Sequence, residues 1–226
     1  MIFQAHKGVS TDAPENTMAA FRAAVIQGYA YIETDPGVTA DGIFVLLHDE
    51  TINRTARQND GTPLPAVRRI ADMPYKEAVQ YDFGIAFSEV FRGERIPLLT
   101  DVLQLVKETG ITLKIDNKFE KFSPAVRERF CATLQASGAR VALTCADEHT
   151  AAAMAARLPD AEIHYDGGFD EATLQRLQAL VGDRLVFWMP YECQKTSWVK
   201  VPFANADNTA VAKKYARLGI WILSEQ

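Results

Sequence analysis

A chain of 226 residues with 48% hydrophobic content can build one sizeable core, and its 24 basic against 29 acidic residues leave a formal net charge of −5. That balance, with no basic run and no interleaved aromatic stripe, argues against a nucleic-acid surface. No stretch of about 18 apolar residues is available to span a membrane.

The N-terminus lacks the charged region, apolar core and cleavage site of a secretory leader, and the first strand is expected to begin at Ile2. Cys131, Cys145 and Cys193 are widely spaced and form no CxxC pair, which fits reduced thiols in a cytoplasmic protein better than disulfides or a zinc site. Short apolar runs predict strands at 2–5, 31–34, 44–47, 112–115, 140–144, 162–165, 185–189 and 220–223. Helical periodicity falls between most of them, at 17–27, 99–108, 125–136, 150–157, 171–181 and 208–217. Asp147 and Asp170 stand as N-caps, and Gly28, Gly110, Gly138, Gly182 and Gly219 as helix stops.

Alternating strands and helices indicate βαβ units and a parallel sheet, and without a Rossmann glycine fingerprint a barrel is favoured. One connection breaks the rule. The few residues between Asp35 and Phe44, with the turn signal Asp41-Gly42, cannot join parallel strands, so 44–48 must fold back beside 31–38. Residues 51–96 are rich in turn formers and charge, with one short helical candidate at 74–80, and read as an inserted lid. The prediction is a single α/β domain over 1–226: a TIM-type (β/α)8 barrel one βα unit short of eight within this chain.

Chemistry gathers at the strand ends. Of four histidines, His6 ends the first strand and His48 the folded-back one, beside Lys7 and Asp49; two imidazoles so placed suit a general acid and a general base. His149 opens a helix and His164 lies inside a strand. Glu33 and Asp35, at i and i+2, point to one face and repel unless a hard cation such as Mg2+ or Ca2+ lies between them. Asp116 and Lys118 share a face after the strand at 112–115, as a further oxygen ligand and a point charge for phosphate. Barrel active sites lie at C-terminal strand ends, where His6, Glu33, Asp35, Asp116 and Lys118 fall and to which the fold-back delivers His48. The set suits metal-assisted attack on an anionic phosphodiester.

The motifs HKG, PENT, GYAYIETD, TADG, LHDETINRT and FRGERIP, in that order, resemble the glycerophosphodiester phosphodiesterase family, closely over residues 2–116 and loosely beyond. The resemblance implies a PLC-like phosphodiesterase barrel in which His6 and His48 are the catalytic acid/base pair. It makes Glu33, Asp35 and Asp116 ligands of Mg2+ or Ca2+, Lys7 and Lys118 phosphate contacts, and Glu15 a support behind the site. The implied reaction cleaves a glycerophosphodiester, a small-molecule substrate, to glycerol 3-phosphate and an alcohol. Attack by the neighbouring glycerol hydroxyl through a cyclic phosphate is one route.

Three departures stand out: Lys7 replaces the family's arginine, Asp116 its usual glutamate, and Ile220-Trp221-Ile222-Leu223-Ser224 stands where a Trp-Thr-Val-Asn strand is expected. Two other readings compete, a catalytically weakened phospho-ligand binder and a related PLC-like enzyme acting on another diester. Both imidazoles together favour turnover, and no basic amphipathic patch favours a membrane-surface enzyme. Trp188, Tyr191, Trp198 and Phe203 are candidates either for a pocket wall or for core packing. Nothing in the sequence sets an oligomeric state.

Overall fold

The computed structural model describes residues 3–191 and 204–222, which form two compact units, 1–141 and 142–226. In the first, β1 (Gln4–Ala5) runs parallel to β2 (Tyr31–Thr34), which runs parallel to β5 (Thr112–Ile115). Ile32, Leu113 and Ile115 are fully buried, as expected of parallel strands covered on both faces. Helix α1 (Met18–Ile26) returns the chain from β1 to β2; Thr17 caps it by accepting from the Ala20 N–H, and Ala20, Phe21 and Ala24 form its buried face. Helix α3 (Leu99–Thr109) buries Leu99, Val102, Leu103 and Val106, an i, i+3, i+4, i+7 stripe, and ends at Gly110 with φ +74°.

The short connection after β2 is a hairpin. β3 (Pro36–Val38) pairs antiparallel with β4 (Phe44–Leu46), with Val38 opposite Phe44. It forms a two-stranded sheet of its own, so of the expected 31–38 the fold-back pairs with 36–38 and not with 31–34. Phe44 packs edge-on against Phe130 of α4 (Pro124–Ser137), with ring centroids 5.2 Å apart, and is closed in by Phe122. Residues 51–96 carry little regular structure beyond α2 (Tyr75–Ala78). They are nevertheless packed: Ile52, Ala56, Ile70, Met73, Ala78, Phe83 and Ile96 share a core with Val45 and Leu47. Buried Asp82 replaces regular secondary structure there by accepting from the N–H groups of Gly84, Ile85 and Gly93.

In the second unit, β6 (Val141–Cys145), β7 (Glu162–Tyr165), β8 (Leu185–Tyr191) and β9 (Arg217–Ile222) pair in parallel in chain order. Asp147 and Asp170 cap α5 (Glu148–Arg157) and α6 (Glu171–Val181), accepting from Thr150 and Thr173 N–H. The last helix, α7 (Ala206–Ala212), is shorter than the expected 208–217, and β9 begins three residues earlier than 220. Gly219 is therefore a strand residue and not a helix stop. A Cβ at Gly219 would lie 2.3 Å from the Trp188 ring, so glycine is what lets that indole lie flat across β9. Trp188 Nε1–H donates to His164 Nδ1 at 2.9 Å, which makes this indole a packing and hydrogen-bonding element of the sheet. Trp198 and Phe203, like Cys193, lie outside the described residues.

Candidate active site

The end of β1 sets the geometry. Lys7 (φ +57°) and Gly8 (φ +77°) both adopt the left-handed conformation, turning the chain sharply after His6. The turn is wedged on α1, where a Cβ at Gly8 would lie 2.6 Å from the Ala20 Cβ, and the Val9 N–H donates to the Ala20 carbonyl at 3.1 Å. It aims the Lys7 N–H at Glu33 Oε2, 2.8 Å away, and leaves His6 Nε2 at 3.8 Å from the same oxygen. Lys7 Nζ reaches Glu15 Oε1 at 3.6 Å.

Asn16 is the second pivot. Also left-handed (φ +53°) and buried, it donates from its backbone N–H to the Lys7 carbonyl at 2.9 Å and from Nδ2 to Asp35 Oδ2 at 2.9 Å. Its Oδ1 accepts from Thr34 Oγ1 at 2.7 Å and from the Asp35 N–H. One side chain thus locks the end of β1 to the end of β2. Asp35 Oδ1 takes the Lys118 ammonium at 2.6 Å, and the Asp116 N–H donates to the Thr34 carbonyl, which fixes the end of β5 alongside.

The hairpin brings in His48. Leu47 N–H donates to the Asp35 carbonyl at 2.9 Å, which tethers the residue before His48 to the end of β2. His48 Nδ1 lies 2.7 Å from Asp49 Oδ1, and Arg54 then holds Asp49 through Nε at 2.6 Å. The same guanidinium takes both oxygens of Glu15, at 2.8 and 2.6 Å. The hydrogen bond from Arg54 is the main cause that holds Asp49 down, at about 2. For Glu15, burial works upward but is outweighed by the Arg54 hydrogen bond and the Lys7 and Arg54 charges, so its carboxyl falls below the ordinary value.

The protein mass around His6, and then the Lys7 ammonium, hold its imidazole below the ordinary value, although the ring keeps an edge open to solvent. Glu33 behaves in the opposite way: burial, and then the Asp35 and Asp116 charges, push it up to about 8. Asp116 is likewise raised, by burial and then by Asp35. Three carboxylates in mutual repulsion, Glu33 and Asp35 buried and Asp116 partly so, are a donor set that suits a hard divalent cation. As they stand, no three His, Cys, Asp or Glu side chains among the described residues are grouped to hold a metal ion. Asp35 is turned to Lys118 and Asn16, and Glu33 to the Lys7 N–H.

All eight residues singled out in the sequence lie in the first unit: His6, Lys7, Glu33, Asp35, His48, Asp116 and Lys118 at or just beyond strand ends, and Glu15 in the turn before α1. Asn16 and Arg54 stand out in the sequence only as part of PENT and LHDETINRT, and Asp49 only as the neighbour of His48; their bonds give each a role in holding the site. His149 and His164 lie outside this first unit.

The model of the glycerophosphoryl diester phosphodiesterase family matches residues 6–164. The chain belongs to this family. A glycerophosphodiester phosphodiesterase of Caldanaerobacter subterraneus subsp. tengcongensis is 40% identical over 114 residues, 50% of this chain and 44% of that protein. Glycerophosphodiester phosphodiesterase 1 of Bos taurus is 37% identical over 116 residues, 50% of this chain and 33% of its own. The chain therefore spans under half the length of these curated relatives. An Oleispira antarctica phosphodiesterase, solved in complex with its product sn-glycerol-3-phosphate, superposes with a TM-score of 0.74 at 20% identity, over 100% of this chain and 85% of that one. A Silicibacter pomeroyi structure covers 100% of this chain and 83% of its own, with TM-score 0.71 and 20% identity. These likenesses show the fold, the TIM-type β/α barrel of the family. No helix among the described residues is long and apolar enough to cross a membrane.

Proposed function

We propose that this chain is a metal-dependent glycerophosphodiester phosphodiesterase, cleaving a glycerol-based diester to glycerol phosphate and an alcohol in the cytoplasm. The observation that carries the reading is the gathering of His6, His48, Glu33, Asp35 and Lys118 around the ends of β1, β2 and the hairpin, each held by named partners. The family relationship and the product-bound Oleispira antarctica neighbour support it. Cys131 and Cys145 are buried thiols, which suits a reducing compartment.

His6, kept neutral by the enclosing protein and by Lys7, takes the proton of the attacking hydroxyl, whether of water or of the neighbouring glycerol carbon. His48 hands a proton to the departing alcohol oxygen. Its Nδ1–H donates to Asp49, so Nε2 is the nitrogen left for transfer. Lys7 and Lys118 place positive charge where the phosphoryl oxygens bind. Mg2+ or Ca2+, held by Glu33, Asp35 and Asp116, would neutralise charge on those oxygens.

Hydrolysis of glycerophosphocholine and bis(p-nitrophenyl) phosphate, with EDTA and with each metal, tests the reading. His6→Ala and His48→Ala are each expected to lose roughly 10²–10⁴-fold in kcat. Folded wild-type protein without turnover under every metal would turn the reading to a phospho-ligand binder.

A further inference from the structure

The proposed reaction leaves one enclosed cation of the first unit without a role, Lys114. It lies on β5, whose residues are all buried, and is itself only 7% exposed. Strand alternation puts its side chain on the face shared by Asp116 two residues later, and the parallel register sets it directly opposite Glu33. Its charge acts on Glu33, Asp116 and His6 alike. Lys7 and Lys118 stand elsewhere in the cluster, against Glu15 and Asp35.

Lys114 stands opposite a carboxylate of the cluster, so its charge acts through the field inside the site. A buried ammonium persists only where opposite charges compensate it. Here the compensating carboxylates include those that the proposed metal requires.

We propose that Lys114 is a resident counter-ion of the Glu33 and Asp116 carboxylates and weakens divalent-cation binding at the cluster that they form with Asp35. The proposal rests on the metal site of the proposed function and adds how its affinity is set. A divalent ion entering the cluster meets a fixed positive charge in surroundings that screen poorly. The carboxylates it needs are already partly neutralised, so the net gain on binding is smaller.

Calorimetric titration of Mg2+ into metal-stripped wild type, Lys114→Met and Lys114→Arg, at one pH and ionic strength, tests this directly. Lys114→Met is expected to bind at least about tenfold more tightly, while Lys114→Arg, which keeps the charge, stays as weak as wild type. Thermal melts check that each protein is folded, with Lys114→Gln replacing Lys114→Met if the latter is not. Equal or weaker binding by the neutral variant overturns the proposal and leaves the metal site standing. Tighter binding by both variants also overturns it, since bulk and not charge would then decide. No Mg2+ binding by any of the proteins overturns the metal reading itself, and this proposal with it.

Discussion

Arg54 holds Glu15 through two terminal nitrogens, at 2.8 and 2.6 Å, across 39 residues of sequence. Its Nε meanwhile fixes Asp49 at 2.6 Å, and Asp49 holds the His48 ring. A planar fork fixes two carboxylates at set angles through several directed N–H bonds, whereas an ammonium offers three rotating donors from a single nitrogen. Arg54→Lys and Arg54→Ala are therefore both expected to lower kcat by roughly tenfold to a hundredfold with a smaller change in KM. Steady-state kinetics on glycerophosphocholine would show it; an unchanged kcat in Arg54→Ala would remove Arg54 from the orientation of His48.

Asn16 joins β1 to β2 by bonding Lys7, Thr34 and Asp35 together. Asn16→Ala strands several of these buried groups and is expected to cost about 1–3 kcal/mol. Asn16→Gly relieves the positive φ yet still lacks the amide, so the two variants separate backbone strain from hydrogen bonding. Urea denaturation should find both destabilised, and if glycine restores full stability the amide bonds are not what matters.

Gly8 is confined both by its φ of +77° and by Ala20, 2.6 Å from the position of a Cβ. Gly8→Ala is expected to lose about 2–4 kcal/mol from left-handed strain and overpacking combined. His6 and Lys7 should shift with it, so turnover should fall further than stability alone accounts for. Melting temperature and kcat measured on the same preparation give both readings.

Glu33 gives the pH dependence a sign. Its folded value is raised from 4.5 to about 8. Between those values the metal-free folded protein holds a proton that the unfolded chain has released. Stability from this group is thus fully present below the lower value and is lost as pH rises through the upper one. Metal-stripped protein should melt at progressively lower temperature from pH 5 to 8, and Glu33→Gln should flatten that slope. Because a metal requires the ionised carboxylate, Mg2+ addition at neutral pH is expected to release protons, detectable as buffer-dependent calorimetric heat.

Much of the architecture is legible in the sequence because it is written locally. The alternating apolar runs specify β2, β5 and β7 to the residue, and the Asp147 and Asp170 caps mark where α5 and α6 begin. The turn signal at Asp41-Gly42 announces a hairpin, since parallel pairing needs a longer connection. α7 ends earlier than the sequence pattern suggests: Gly219 resembles a helix stop, yet its lack of a Cβ serves the Trp188 ring on a neighbouring strand. No local pattern carries that information.

The same division runs through the candidate site. Residue types and strand ends alone select His6, Glu33, Asp35, His48, Asp116 and Lys118, because side-chain direction alternates along a strand and barrel chemistry collects at one end. Only tertiary structure decides what each charge faces. It places Lys118 on Asp35, Arg54 between Glu15 and Asp49, and Lys114 opposite Glu33. Those pairings join segments separated by up to 83 residues, and the strength of a charge depends on burial and partners that a linear sequence does not contain.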